Sequence, residues 1–239
     1  MGTIGAPERT RPRAPETARY RCDGPHGRSG RVNVLVIGAN GATGSRIVRR
    51  ALDAGHDVTA MVRRADAVTD PRATRVVADP LVARELAEHA RECDAVISAL
   101  GVRSLGAATL ARRSAEALVA AHELGTPSRT IIVSALGVGE SADIVSPFAR
   151  LLYRTAMRNV FADKAAAEVL VRASSLDWTL VYPGTLRNRP LRAYTATDLD
   201  ALSNVPGMPV STRDSVADFV VRAAADGGWS RRTVVLRDE

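Results

Sequence analysis

Val32-Asn33-Val34-Leu35-Val36-Ile37-Gly38-Ala39-Asn40-Gly41-Ala42-Thr43-Gly44 is the stretch that decides the fold. An apolar run of strand length empties into a turn with glycine at every third position. The face Ile47, Val48, Ala51 and Leu52 follows, and Gly55 closes it. That order predicts a strand, a tight turn and a helix whose first backbone N–H groups point at an anion. One glycine permits the turn, one lets a phosphate approach the backbone, and one lets helix and strand pack closely. Asn40 stands where the general dinucleotide fingerprint has its second glycine, so the loop is a variant of that pattern. Gly38, Asn40, Gly41, Ala42, Thr43 and Gly44 are therefore the expected pyrophosphate contacts, with a purely structural glycine turn as the alternative.

Outward from this loop the α/β alternation continues. Apolar runs at 58–62, 75–78, 94–98, 130–134, 178–182 and 233–236 have strand length. Helical periodicity fills Leu81 to Arg91, Leu105 to Leu124, Ala149 to Ser174 and Asp214 to Ala225. Strands joined by crossover helices predict one Rossmann-like, doubly wound α/β domain over residues 32–239, with a mostly parallel sheet and helices on both faces. Residues 1–31 differ: Pro7, Pro12, Pro15 and Pro25 punctuate them, and Ile4 is their sole branched aliphatic residue. Such a segment buries too little apolar area to offset its ordering entropy, so it is expected to be a disordered extension.

The formal charge of +7 invites a nucleic-acid reading, but residues 1–31 hold seven Arg against three acids, 7 − 3 = +4, which leaves +3 for the rest of the chain. A modest surplus spread over a domain reads as solvated surface, not a binding stripe. Cys22 and Cys93 make no disulfide framework, and His26, His56, His89 and His122 have no ligand spacing, so no metal site is expected. No apolar run approaches the ~18 residues of a membrane span, and no apolar segment follows the Arg-rich start as in a secretory signal. The expectation is a cytoplasmic protein acting on a small molecule, monomeric or weakly dimeric, without nucleic-acid or membrane partners.

Several positions carry candidate chemistry. Arg63 and Arg64 follow the second strand, where an NAD-selective protein would place an acid on the ribose 2′-hydroxyl. Arginine there suits a 2′-phosphate, so NADPH is expected over NADH. Asp79 ends the third strand, where a carboxylate could contact adenine or simply cap a loop before Pro80. Ser98, Ala99, Leu100 and Gly101 leave a buried strand in a small-residue turn whose backbone can pass the cofactor. Ser134 ends a central strand at the ligand crevice, able to bond a substrate carbonyl or merely to terminate the strand. Lys164 is the only lysine, amid 32 arginines (33 − 1), which marks it for a function; a surface pairing with Glu168 at i+4 is the alternative. Eight of the nine aromatic residues follow residue 147, so any ring-stacking pocket must draw on the second half; Phe161 and Phe219 read as core.

Gly-Ala-x-Gly-x-Thr-Gly, the strand-ending arginines, Ser134, Asp163-Lys164 and Asp177-Trp178-Thr179-Leu180-Val181-Tyr182-Pro183-Gly184 together resemble the atypical short-chain dehydrogenase/reductases of the NAD(P)H-binding group. Within it the chain is similar to the biliverdin-IXβ reductases, also called NADPH-dependent flavin reductases, and Leu191 to Thr195 and Val210 to Asp214 fit that likeness. The resemblance implies pyrophosphate on the 38–44 loop, 2′-phosphate on Arg63 or Arg64, nicotinamide against Ser134 and against Tyr182, Pro183, Gly184 and Leu186, and the nicotinamide ribose on Lys164. The superfamily's catalytic tyrosine stands four residues before the lysine, and here that residue is Val160. Tyr153, eleven residues before Lys164, would lie ~16 Å away along a continuous helix. Alcohol dehydrogenation needs a positioned phenol, whereas reduction of a conjugated acceptor can draw its proton from water. The expected activity is NADPH-dependent hydride transfer to a planar flavin-, biliverdin- or quinone-like acceptor, with Ser134, Lys164 and Tyr182 as catalytic candidates. The alternatives are a non-catalytic NADP(H) sensor and a metabolite-tailoring reductase or epimerase of the same fold.

Overall fold

The structure is a computed structural model that describes residues 16–21, 30–101 and 109–239. Its elements in chain order are β1 (Thr17–Tyr20), β2 (Asn33–Ile37), α1 (Gly44–Asp53), β3 (Asp57–Val62), β4 (Thr74–Val77), α2 (Ala83–Ala90), β5 (Ala95–Ser98), α3 (Leu110–Glu123) and β6 (Arg129–Val133). There follow α4 (Pro147–Thr155), α5 (Arg158–Ala173), β7 (Asp177–Pro183), β8 (Thr185–Arg187), β9 (Tyr194–Asp198), β10 (Val210–Thr212), α6 (Arg213–Asp226) and β11 (Arg232–Asp238).

All seven apolar runs are strands, and together they make one parallel block in the order β4-β3-β2-β5-β6-β7-β11. The alternation along β2 explains the layers. Val34 and Val36 join Ile47, Val48 and Ala51 of α1 and the apolar face of α6 in one core. Leu35 and Ile37 face the other way, into a core with Leu86 of α2 and Leu118 of α3. A strand buried on both faces needs such a continuous apolar run. Removing the Ile47 side chain, which is fully buried, would cost about 2–5 kcal/mol.

Three features depart from expectation. The long helix over 149–174 is two helices, with Ser146 and Pro147 starting α4 at its N-cap and first turn. Residues between them, Ala156 and Met157, are not helix breakers. The interruption instead lets the Tyr153 ring stack on Phe161 at 4.6 Å, so the distance argument from a continuous helix does not apply to Tyr153. The helix expected from Leu105 is α3 from Leu110; residues 102–108 lie outside the described residues, as does Cys22.

The third departure corrects part of the disordered extension. Thr17–Tyr20 is a strand that pairs antiparallel with β9, which pairs antiparallel with β11 and so extends the sheet beyond its parallel block. Tyr20 stacks on Tyr194 at 4.9 Å, meets Phe219 edge-on, and accepts a hydrogen bond from the Trp229 indole at 3.4 Å. Aromatic burial supplies what that stretch's sparse aliphatic content does not. Beneath it, Asp218 accepts hydrogen bonds from Tyr194, Arg50 and Arg222, tying β9, α1 and α6 together. No helix among the described residues is long and apolar enough to cross a membrane.

Candidate active site

The glycine loop leaves β2 with Gly38 in the left-handed region at φ +78°, and a Cβ there would stand 3.0 Å from the Ala99 carbonyl oxygen. Ala99 thus runs beside the loop, as expected for the turn after β5. Gly44 is tighter still: a Cβ would stand 2.1 Å from the Gly38 carbonyl oxygen. Gly41 donates its N–H to Gly38 at 2.9 Å and closes the turn. The N–H groups of Ala42, Thr43 and Gly44 have no acceptor among the described residues, Thr43 gives α1 no side-chain cap, and the first turn holds no acid. Unpaired donors at a helix N-terminus, with glycines holding the backbone close, fit a dinucleotide pyrophosphate.

Arg63 and Arg64 are exposed just past the end of β3. The Arg64 guanidinium lies 3.1 Å from Asp66, while Arg63 has no ion pair or hydrogen bond among the described residues. Asp79 behaves as a loop cap: its side chain accepts from the Leu81 N–H at 3.0 Å, and its own N–H donates to Glu85 at 2.7 Å. These hydrogen bonds account for Asp79 by local structure ahead of α2.

Ser98, Leu100, Ser134, Lys164 and Glu168 line one cavity at the carboxyl ends of β5 and β6. Ser98 stands beside Ile37 in the β2–β5 register, so this cavity adjoins the start of the glycine loop. Asp163 accepts from the N–H groups of Ala111 and Arg112, at 2.8 and 3.1 Å, and so caps α3 from α5. That clamp sets the rotation of α5 that turns Lys164 into the cavity. Burial pushes the Lys164 ammonium below its ordinary value, opposed by the carboxylates of Glu168 and Asp163.

Glu168 is not a surface partner of Lys164. It is 4% exposed and makes no ion pair with Lys164 among the described residues; its oxygens accept from the Ser134 hydroxyl and the Tyr182 phenol, each at 2.5 Å. Burial pushes the Glu168 carboxyl above the usual range, while the two hydrogen bonds and the charges of Arg172 and Lys164 pull the other way. In sequence only the i+4 spacing from Lys164 singled Glu168 out. Its partners come from two separate strands, which the spacing could not reveal.

Tyr182 is placed otherwise than a stacking residue requires. Its ring is wholly buried in the core among Leu136, Val145 and Leu180 and does not line the cavity. Burial, with the Glu168 carboxylate beside it, pushes its phenol up, so it holds its proton firmly. Stacking and direct proton donation by Tyr182 are thereby corrected to a buried donor to Glu168. Pro183 accepts from the Leu136 N–H at 3.2 Å, which lays the turn after Ser134 along β7. A Cβ on Gly184 would stand 2.2 Å from the Pro209 carbonyl oxygen, so the glycine there serves close approach of two backbones. Leu186 lies in β8 and packs against the core. Val160 is buried with Val138 and Phe161.

Residues 38–227 match the NAD(P)H-binding family. The uncharacterized sugar epimerase YhfK of Bacillus subtilis is 30% identical over 173 residues, which are 66% of this chain and 74% of that protein. Among solved structures, the anaerobillin reductase ChuY of Escherichia coli matches with a TM-score of 0.69 at 24% identity, covering 86% of this chain and 97% of that one. The oxidoreductase ylbE of Lactococcus lactis matches with a TM-score of 0.70 at 18% identity, covering 87% and 91%. At these identities the solved structures carry the fold alone. The match across 38–227, with a glycine loop whose free amides fit a pyrophosphate, makes this chain a member of the NAD(P)H-binding family.

Proposed function

We propose that the protein is an NADPH-dependent reductase that passes hydride to a planar conjugated acceptor of the flavin, biliverdin or quinone kind. The observation that carries this reading is the cavity itself: Ser98, Ser134 and Lys164 converge beside the glycine loop, and the position of the superfamily's phenol is the buried Val160. A reduced nicotinamide, when bound, supplies the hydride; the chain supplies binding, orientation and a proton path. Ala42, Thr43 and Gly44 would hold the pyrophosphate, Arg63 the 2′-phosphate, and Lys164 the nicotinamide ribose. Arg63 is favoured over Arg64 because the latter already has Asp66. Ser134 would orient a carbonyl or ring nitrogen of the acceptor.

A sugar-epimerase reading is favoured by the description of the Bacillus subtilis relative. Epimerisation through a ketone needs a base to take a hydroxyl proton, which Val160 does not supply at the position of the superfamily's phenol, and turnover of a sugar substrate would favour this second reading. NADPH oxidation measured with flavin, biliverdin and quinone acceptors tests the proposal. Turnover on one of them with preference for NADPH over NADH is expected. Tight NADPH binding without turnover on any acceptor would overturn it in favour of a nucleotide sensor.

A further inference from the structure

The reductase reading leaves open where the proton comes from, and the buried carboxyl behind Ser134 answers that. We propose that Glu168 holds the proton that reduction consumes and hands it to the acceptor through Ser134, in place of the phenol that Val160 removes. The inference rests on the reductase reading for its acceptor, but the state of Glu168 can be read without one.

The geometry is a three-group relay built from three elements. Ser134 from the end of β6 and Tyr182 from β7 each lie 2.5 Å from one oxygen of Glu168 on α5. An ionised carboxylate only accepts, so both hydroxyl hydrogens would be spent on it and Ser134 would have none for a ligand. A protonated carboxyl changes the direction of one bond. Tyr182 still donates to Oε2, and the carboxyl hydrogen on Oε1 goes to Ser134, whose own hydrogen is then free to point into the cavity that Ser134 lines. The Arg172 guanidinium also hydrogen-bonds the Tyr182 phenol, and since a guanidinium only donates, the phenol hydrogen stays on Oε2, which keeps the extra hydrogen on the Ser134 side.

The charged groups around Glu168 are Lys164 and Arg172 on its own helix, with Arg172 drawn to Glu140 at 3.5 Å and held over the Trp178 ring at 5.0 Å. From the turn after β6, a Cβ on Gly139 would stand 3.2 Å from Oε2, so that backbone shields the carboxyl from outside. Arg172 is thus shared among Glu140, the Trp178 ring and the Tyr182 phenol, and burial outweighs the nearby charges, so the carboxyl lies above its usual range. In the step, hydride adds to the acceptor and leaves it an anion. That anion takes the Ser134 hydrogen as Ser134 takes the Glu168 hydrogen, giving the two-electron, two-hydrogen product. Glu168 is left ionised and regains its proton from solvent before the next turnover. Glu168 acts only through Ser134 and is a positioning residue by that measure.

The test uses the full chain loaded with NADPH, as wild type, Glu168→Gln and Tyr153→Phe. Infrared difference spectra between wild type and Glu168→Gln should show a protonated-carboxyl carbonyl band at neutral pH that disappears as pH rises; an ionised carboxylate at neutral pH overturns the proposal. The isosteric amide preserves both hydrogen bonds, so thermal stability and NADPH affinity should stay at wild-type values while kcat falls ~100-fold, the scale of a lost proton donor. Wild-type kcat should decline with pH in step with the infrared band, and that decline should be absent in Glu168→Gln. A Gln variant with wild-type kcat and the same decline sinks the idea, as does loss of activity in Tyr153→Phe with Glu168→Gln unaffected. If wild type reduces no acceptor, the reductase reading fails on its own, and the infrared band still decides whether Glu168 carries the proton.

Discussion

Replacing Gly44 by alanine adds one methyl group where the structure has no room for it. That Cβ would stand 2.1 Å from the Gly38 carbonyl oxygen and 2.8 Å from its carbon, against 3.4 Å for ordinary contact, so helix and loop must separate by about 3.4 − 2.1 = 1.3 Å. The atoms met are backbone at the end of β2, whose fully buried Ile37 leaves the strand unable to give way. The start of α1 must move instead, carrying the free amides of Ala42, Thr43 and Gly44 with it. Hydrogen bonds to a charged group contribute about 1.5–3 kcal/mol each, so misaligning two of them costs about 3 kcal/mol, or roughly 100-fold in Kd. Calorimetric titration with NADPH reads this directly. The matched control is Gly55→Ala: at φ +83° with nothing within 4 Å of its Cβ, it should lose about 1 kcal/mol of stability through backbone strain and leave NADPH binding untouched. A folded Gly44→Ala protein that binds NADPH as tightly as wild type would refute the assignment of the loop to the pyrophosphate.

Arg63→Ala should weaken NADPH binding about 10-fold or more while leaving NADH binding unchanged, with Arg64→Ala smaller because Asp66 already pairs it; equal losses for both nucleotides would argue against a 2′-phosphate contact. Tyr20→Ala should cost about 2 kcal/mol in urea unfolding, less than the ~3–5 for a fully buried ring, since Tyr20 is half-buried against Tyr194 and Phe219; no loss would mean that β1 adds nothing to the domain. Asp218→Asn should cost about 3 kcal/mol by leaving Arg50 and Arg222 without their carboxylate. Burial works against ionisation of Asp218, but its hydrogen bonds with Tyr194 and Arg222 and the nearby charges hold the carboxyl below its ordinary value. Its contribution is therefore present above the ordinary carboxylate range and lost as pH falls through the lowered value. The acid limb of wild-type stability should shrink in Asp218→Asn. Glu168 has the opposite sign: its raised value means a contribution present at low pH and lost as pH rises through it, so Glu168→Gln should flatten stability on that side.

The centre of the parallel block was legible in sequence because β2, β5 and β7 are buried on both faces, and burial on both faces demands an uninterrupted apolar run; β4, at the edge, is largely exposed. The glycine loop was legible for a similar reason: close backbone approach admits only glycine, at Gly38 and Gly44 as the geometry requires. Local physics wrote both patterns into adjacent residues. The outer antiparallel strands left no such mark. Tyr-Thr-Ala-Thr-Asp at β9 and Thr-Ala-Arg-Tyr at β1 are polar and short, and they are strands because each completes the other's hydrogen bonds across 180 residues, Thr17 facing Thr197. The break between α4 and α5, which swings Tyr153 onto Gly137, is likewise a matter of packing and not of propensity. For the candidate site the division is sharper. The sequence alone determined that Ser134 and Lys164 stand out and that Val160 replaces a phenol. Only the tertiary structure decided that Tyr182 is buried and that Glu168 joins it to Ser134, because a hydrogen-bonded cluster drawn from two strands and a helix has no period along the chain.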